Sequence, residues 1–193
     1  MTAVVTGASS GIGLELARQF AASGFDLVLA AHEPIPDELP GEHVVVDLST
    51  PEGVETLNER IKDRPLEAIA LNAGITARSD DLERELTLID LNVRGTVHLA
   101  RLVTKDMARR GYGRVLLTSS LVAEVPGPYQ AAYNASKSFV QSFGLALRDE
   151  LRDTGVTVTL LMPGATDTPI FARANQLSTR LGAAKHKDDP AEV

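Results

Sequence analysis

The stretch TGASSGIG, Thr6–Gly13, decides the fold. It follows the β-branched run TAVVT (2–6) and opens residues 11–23, where apolar side chains recur at helical spacing. A glycine-rich turn between a strand and a helix is the setting a phosphate-binding loop requires. Gly7 allows the sharp reversal, while Gly11 and Gly13 let a pyrophosphate and the neighbouring strand approach helix backbone with no Cβ between them. The N–H groups at the helix start carry partial positive charge, so even an acidic protein can hold an anion there. An ordinary tight turn is the plainer reading, and the surrounding pattern has to separate the two.

Working outward, five further short runs read as strands: DLVLAA (26–31), HVVV (43–46), AIALN (68–72), RVLLTS (114–119) and VTVTLLM (156–162). Between them, residues 52–63, 81–109 and 131–153 join 11–23 as helical patterns; Leu82, Leu86, Ile89, Val93, Val97 and Ala100 mark one such stripe. Strands alternating with helices imply a parallel sheet, and right-handed crossovers make it doubly wound, an α/β fold of six strands with helices on both faces. The linker HEPIPDELPGE after the second strand holds three prolines and cannot be the helix expected in that crossover.

Composition narrows the function. The 193 residues suit a single domain spanning 1–193. Net charge is −7, from 26 acidic against 19 basic residues, and no basic run interleaves with aromatics, so no nucleic acid partner is expected. With no cysteine there is no disulfide, thiol chemistry or thiolate metal site, and the four histidines lack metal-ligand spacing; no metal is expected. No apolar stretch is long enough to span a bilayer and the first residues lack a signal-peptide pattern, so the expectation is a cytoplasmic protein with no membrane partner. No serine sits in a G-x-S-x-G elbow, which argues against an esterase.

In YNASK, Tyr133 and Lys137 stand four residues apart on one helical face. Taken alone they read first as a surface helix pair. A phenol titrates near pH ~10, too high for a base at neutrality, and a cation within about 4–6 Å favours the phenolate. With a cofactor beside it, the pair has acid–base chemistry to do.

The spacing Gly-x3-Gly-x-Gly resembles the short-chain dehydrogenase/reductase family, whose TGxxxGxG pattern is matched by Thr6, Gly7, Gly11 and Gly13. VDLS (46–49), LNAG (71–74), DLNVRGT (90–96), LTSS (117–120), YNASK (133–137) and PGATDT (163–168) follow in family order at family-like separations. The resemblance implies a Rossmann-like sheet and an oxidoreductase moving hydride between a nicotinamide cofactor and a small carbonyl or alcohol substrate. By similarity, Tyr133 is the general acid/base, Lys137 lowers its pKa and holds the nicotinamide ribose, Ser120 orients the substrate oxygen, and Asn92 anchors a relay water. Ser119 competes with Ser120, but neighbouring strand residues face opposite sides. Asn92 also reads as a residue that bends its helix by bonding to backbone.

The resemblance further implies that Gly7, Ser9, Ser10, Gly11, Ile12 and Gly13 hold the pyrophosphate. Asp47 and Leu48 meet the adenine, and Asn72, Ala73 and Gly74 wall the adenine ribose. Pro163, Gly164, Thr166 and Thr168 contact the nicotinamide. Asp47 could instead cap the next helix, although Ser49 or Thr50 fits that role better. At the end of the second strand an acid would repel a 2′-phosphate. Ala31 takes that slot, with His32 beside it, which favours NADP(H) over NAD(H); Glu33 would reverse this by a small shift in register.

Three departures from the family stand out: the proline linker, the shortened ITARSD segment, and an end at DDPAEV where relatives begin another helix and a seventh strand. A sheet without that strand leaves VTVTLLM as an apolar edge. Residues 163–193 are expected to form the substrate loop, and a shortened chain leaves open a nucleotide-binding or interaction module with weak or no turnover as the alternative to an enzyme. The expected assembly is a homodimer through helices 81–109 and 131–153, with Phe139, Phe143 and Leu147 spaced for burial there or against the sheet.

Overall fold

Val4 and Val5, neighbours on the first strand, point to opposite faces of a sheet and each belongs to a separate hydrophobic core. The computed structural model describes residues 1–78, 80–173 and 186–193. Six strands, β1 (Thr2–Thr6), β2 (Asp26–Ala31), β3 (Glu42–Val45), β4 (Leu66–Leu71), β5 (Gly113–Thr118) and β6 (Val156–Leu161), pair in parallel in the order β3-β2-β1-β4-β5-β6. The chain builds β1 to β3 toward one edge, then returns to β1 and lays β4 to β6 toward the other. The order therefore reverses between β1 and β4, the crevice where doubly wound sheets bind ligands.

Helices α2 (Pro51–Ile61), α4 (Thr96–Arg110) and α5 (Ala131–Glu150) cover one face, contributing Leu57, Leu99, Met107 and Leu147 to its core. On the other face α1 (Gly11–Ala22) packs through Ala17. The proline linker forms no helix and instead buries Ile35 and Leu39 beside α1. Central β1 is buried along its whole length, whereas edge strand β6 alternates buried Val156 and Val158 with exposed Thr157 and Thr159. That edge is thus half polar, less apolar than its sequence suggests. No seventh strand occurs among the described residues.

The segment expected as one helix over 81–109 is three pieces: α3 (Leu82–Ile89), a π-helical turn (Asp90–Gly95) and α4. Two contacts fix the interruption. The Asn92 carboxamide accepts from Ile75 N at 3.0 Å and donates to Ile75 O at 2.9 Å, and Gly95 lies so close to the next loop that a Cβ there would sit 2.1 Å from the Leu48 carbonyl oxygen. The extra residue in the turn rotates what precedes it. Leu82, Leu86 and Ile89, read on one apolar stripe with Val93, Val97 and Ala100, are exposed, and Leu88 is the fully buried residue of α3. On α5, Leu147 is buried, while Phe139 is exposed and stacks on Phe143 with ring centres 6.1 Å apart.

After the last strand, residues 186–193 return to the site end of the sheet. Asp188 forms a parallel bridge with Thr166, donating from its N–H to Ala165 O and accepting from Asp167 N, both at 2.9 Å. Of the segment expected as the substrate loop, residues 174–185 lie outside the described residues. Among the described residues no helix is long and apolar enough to cross a membrane, and no group of three or more His, Cys, Asp or Glu is placed to hold a metal ion.

Candidate active site

All six strands deliver residues to the same end of the sheet. Beyond β1, Gly7 adopts φ +71° and Gly11 φ +56°, left-handed conformations that glycine accepts without strain. A Cβ on Gly13 would lie 2.1 Å from the Gly7 carbonyl oxygen, so the helix start can close on the strand only with glycine there. Helix α1 begins without a side-chain cap and without an acid in its first turn, unlike α2, which Thr50 caps and Glu52 follows. Its first N–H groups thus face outward with a net partial positive charge, suited to a pyrophosphate. Ser9, Ser10 and Ile12 belong to this turn. Thr168 packs over it, since a Cβ on Gly11 would meet Thr168 Cγ2 at 2.9 Å.

Ser120, Tyr133 and Lys137 come together beyond β5. Ser119 and Ser120 diverge as strand geometry requires: Ser119 Oγ donates to the Lys137 carbonyl at 2.9 Å, whereas the Ser120 hydroxyl is hydrogen-bonded with Tyr133 and lies 3.3 Å from the Pro163 carbonyl. Tyr133 is partly exposed and Lys137 buried; the Lys137 ammonium donates to Thr118 O at 2.8 Å and sits 5.9 Å from the Tyr133 ring centre. Asn92 is buried, and its Nδ2 reaches Ser136 Oγ at 3.1 Å, which in turn donates to Tyr133 O. A Cβ on Gly74 would lie 3.2 Å from Asn92 Oδ1 and 3.5 Å from Lys137 Nζ, so Gly74 keeps the floor beneath both open.

The sequence leads one to expect a phenol made acidic by Lys137. The side chains alone give the opposite. Burial pushes the Tyr133 phenol up to about 12, with the Ser120 hydrogen bond pulling against it, and burial pushes the Lys137 ammonium down to about 8. Loss of water sets both directions and outweighs the Ser120 bond. A residue meant to act near neutrality therefore needs further positive charge or hydrogen bonding at this place, and an oxidised nicotinamide with its ribose has both to give.

Around the crevice, Asp47 is exposed and its Oδ1 accepts from Ser49 N at 2.9 Å and Ser49 Oγ at 2.7 Å, leaving helix capping to Thr50. Burial raises its carboxyl, but the Ser49 bonds and the charge of nearby His32 leave it below the usual range. His32 and Glu33 are exposed beyond β2, Leu48 is buried. Asn72 turns its side chain inward: Nδ2 donates to Thr6 O at 3.2 Å and Oδ1 accepts from Thr118 at 3.1 Å, bracing three strands. Only backbone is left there, with Ala73, to wall a ribose. Pro163 and Gly164 follow β6, and Thr166 is buried.

Sequence reasoning passed over Thr6 and Thr118. Thr6 Oγ1 donates to Ala70 O and accepts from both Asn72 N and Ala73 N, tying the glycine turn to the end of β4, and Thr118 seats the lysine. Thr6 stood inside TGASSGIG and was readable as a hydroxyl opposite the next strand's end. Nothing local distinguishes Thr118.

A sheet reversing at β1/β4, an open glycine turn at its crevice and a Ser–Tyr–Lys group beside it define a nucleotide-dependent enzyme of the short-chain dehydrogenase class. The profile of the short chain dehydrogenase family matches residues 1–178, and the chain belongs to that family. It is 32% identical to an uncharacterised oxidoreductase of Staphylococcus saprophyticus, an alignment covering 99% of this chain and 86% of that protein. A short-chain dehydrogenase from Sphingobium yanoikuyae in complex with NADPH superposes with a TM-score of 0.89 at 28% identity, over 99% of this chain and 80% of the other. A 3-ketoacyl-(acyl-carrier-protein) reductase from Brucella melitensis complexed with NADH gives 0.85 at 27% identity, over 98% and 86%.

Proposed function

We propose that this chain is an NADP(H)-dependent carbonyl reductase, equally able to run as an alcohol dehydrogenase, with Tyr133 as its general acid/base. The observation that carries the reading is the Tyr133–Ser120 hydrogen bond beside the buried Lys137 ammonium, at the open end of the glycine crevice. When bound, a reduced nicotinamide supplies the hydride that a carbonyl carbon accepts. Ser120 holds the carbonyl oxygen, and Tyr133 gives that oxygen its phenolic proton as negative charge develops on it. Lys137, held by Thr118, binds the nicotinamide ribose and stabilises the phenolate left behind. Asn92 fixes the π-helical turn, whose displaced backbone carbonyls give a relay water a place to bind; the Leu91 carbonyl already accepts from Thr96 Oγ1 at 3.4 Å.

The residues present fit the cofactor: the turn is a cradle that any Cβ would fill, and α1 leaves its first N–H groups for an anion. NADP(H) is favoured over NAD(H) because no acid stands at Ala31, and His32 beside it can meet a 2′-phosphate. Exposed Leu82, Leu86, Ile89 and Phe139 on α3 and α5 support a homodimer through those helices, to be checked by sedimentation of the parent chain against Phe139→Glu.

The deciding test combines a fluorescence titration with NADPH and an absorbance assay at the nicotinamide band over a panel of aldehydes and ketones. The expected result is binding plus turnover, with Tyr133→Phe losing kcat by at least about 1,000-fold while keeping its affinity for NADPH. Retained activity in that variant would end the assignment.

A further inference from the structure

Resting on the reductase reading, we infer that the substrate is an uncharged, apolar carbonyl compound, and that Asp188 is the residue that turns anionic ones away. Leu121, Val125 and Tyr129 stand exposed on the ten-residue connection between Ser120 and α5, at 53%, 75% and 75%. That is a row of apolar side chains offered to solvent beginning one residue after the serine that would hold the reacting oxygen. Burying large apolar groups is favourable, so their exposure beside a site marks a surface that something else covers.

The connection is not loose. Asn134, on the first turn of α5, donates from Nδ2 to Gly127 O at 2.7 Å, and Leu121 N donates to Pro163 O at 3.0 Å, so both ends are tied to the elements that carry Tyr133 and the nicotinamide loop. Tyr129 holds φ +65°, the one non-glycine residue with positive φ among the described residues. A left-handed residue is ordinarily glycine or asparagine, and an exposed tyrosine there gains nothing for the fold. Its aromatic side chain is what the position keeps.

Charge at the mouth completes the selection. A Cβ on Gly164 would lie 3.4 Å from an Asp188 carboxylate oxygen and 3.6 Å from Leu121 Cδ1, so the acid and the apolar rim converge on one backbone position. Gly164 follows Pro163, whose carbonyl Ser120 faces at 3.3 Å. Asp188 is exposed yet fixed by its two backbone bonds to Ala165 and Asp167. Lys187, half-buried, stands next to it in the chain. A substrate carboxylate entering past Leu121 would meet a like charge.

Benzaldehyde and 4-formylbenzoate test this, since they differ only by a distant carboxylate. With NADPH and the full chain, kcat/KM should favour benzaldehyde by about tenfold or more at low ionic strength, and the preference should shrink in high salt. Asp188→Asn should narrow the ratio several-fold. Tyr129→Gly, which suits the backbone and so keeps the fold, should raise KM for benzaldehyde more than it lowers kcat. Equal or better use of 4-formylbenzoate, or a ratio unmoved by Asp188→Asn, would overturn the inference while leaving the reductase reading intact. Reduction of neither aldehyde by a chain that binds NADPH would overturn both.

Discussion

The Lys137 ammonium donates to the Thr118 carbonyl at 2.8 Å, and from the neighbouring residue Ser119 returns a hydrogen bond to the Lys137 carbonyl at 2.9 Å. Helix α5 is thus fastened to the end of β5 by a reciprocal pair, one half of which is a buried cation. The arrangement sets the lysine's position at the expense of its hydration.

That expense is measurable as a pH dependence of stability. Unfolded, Lys137 titrates near ~10.4, and folded at about 8. Below pH 8 both states are protonated and the burial penalty, about 3 kcal/mol for a shift of that size, is fully present. Between pH 8 and 10 the unfolded chain holds more protons than the folded one, so stability rises with pH. Above pH 10 Tyr133, pushed up to about 12, reverses the slope, because only the unfolded chain then releases its phenolic proton. Urea denaturation of Lys137→Met should show a variant more stable than the parent by roughly 1–3 kcal/mol at pH 7, less whatever the lost bond to Thr118 contributed. The gap should close toward pH 10; parallel profiles for the two chains would count against a depressed lysine.

Adjacent serines offer a second test, because their hydroxyls go to different partners. Ser119→Ala removes a buried bond to α5 backbone and should cost about 1 kcal/mol of stability with less than about a tenfold fall in kcat. Ser120→Ala removes the group hydrogen-bonded with Tyr133 and should lower kcat by about 100-fold or more at nearly unchanged stability. Steady-state kinetics beside thermal melts separate the two; the reverse pattern would make Ser119 the functional serine.

Much of this was legible in the sequence because apolar period and turn chemistry agree. All six strands lie within two residues of their sequence bounds, since each is a short β-branched or apolar run followed by turn-forming or polar residues. The glycine turn was legible for the same reason. What escaped depends on contacts distant in sequence. The π-helical turn needs Ile75 and Leu48 to hold Asn92 and Gly95, so a period counted along 81–109 runs straight through it and joins exposed Leu82, Leu86 and Ile89 to buried Ala100 on one stripe. The inward bonds of Asn72, read by resemblance as part of a ribose wall, were not legible because their partners, Thr6 and Thr118, sit 66 and 46 residues away. The phenol's direction of shift was misjudged because spacing reveals a neighbouring charge but not the water lost on burial.

Gly13 separates backbone approach from mere loop flexibility. Gly13→Ala would put a methyl group 2.1 Å from the Gly7 carbonyl oxygen, a backbone atom that can yield only by reshaping the turn. The expected loss is about 2–3 kcal/mol in stability with at least about a tenfold weaker NADPH affinity. Gly127→Ala, where nothing lies within 4 Å of the added Cβ, should stay within about 0.5 kcal/mol of the parent. Comparing melts and NADPH titrations of both variants checks the argument, and equal behaviour would show that the close contact relaxes without consequence.

His32 carries the last prediction, the choice of nicotinamide. It is exposed beyond β2, close enough to Asp47 for its charge to help hold that carboxyl below the usual range, and no acid precedes it at Ala31. A 2′-phosphate placed there would compete with Asp47 for the imidazole, whereas a 2′-hydroxyl would gain little from a cation. His32→Ala should therefore weaken NADPH by about 5–10-fold and NADH by less than about twofold, while His32→Arg, charged at every working pH, should tighten NADPH. Fluorescence titrations of the parent and both variants with each cofactor measure this directly. Equal losses of the two cofactors in His32→Ala would move the discrimination to Glu33, the next side chain along the same crevice.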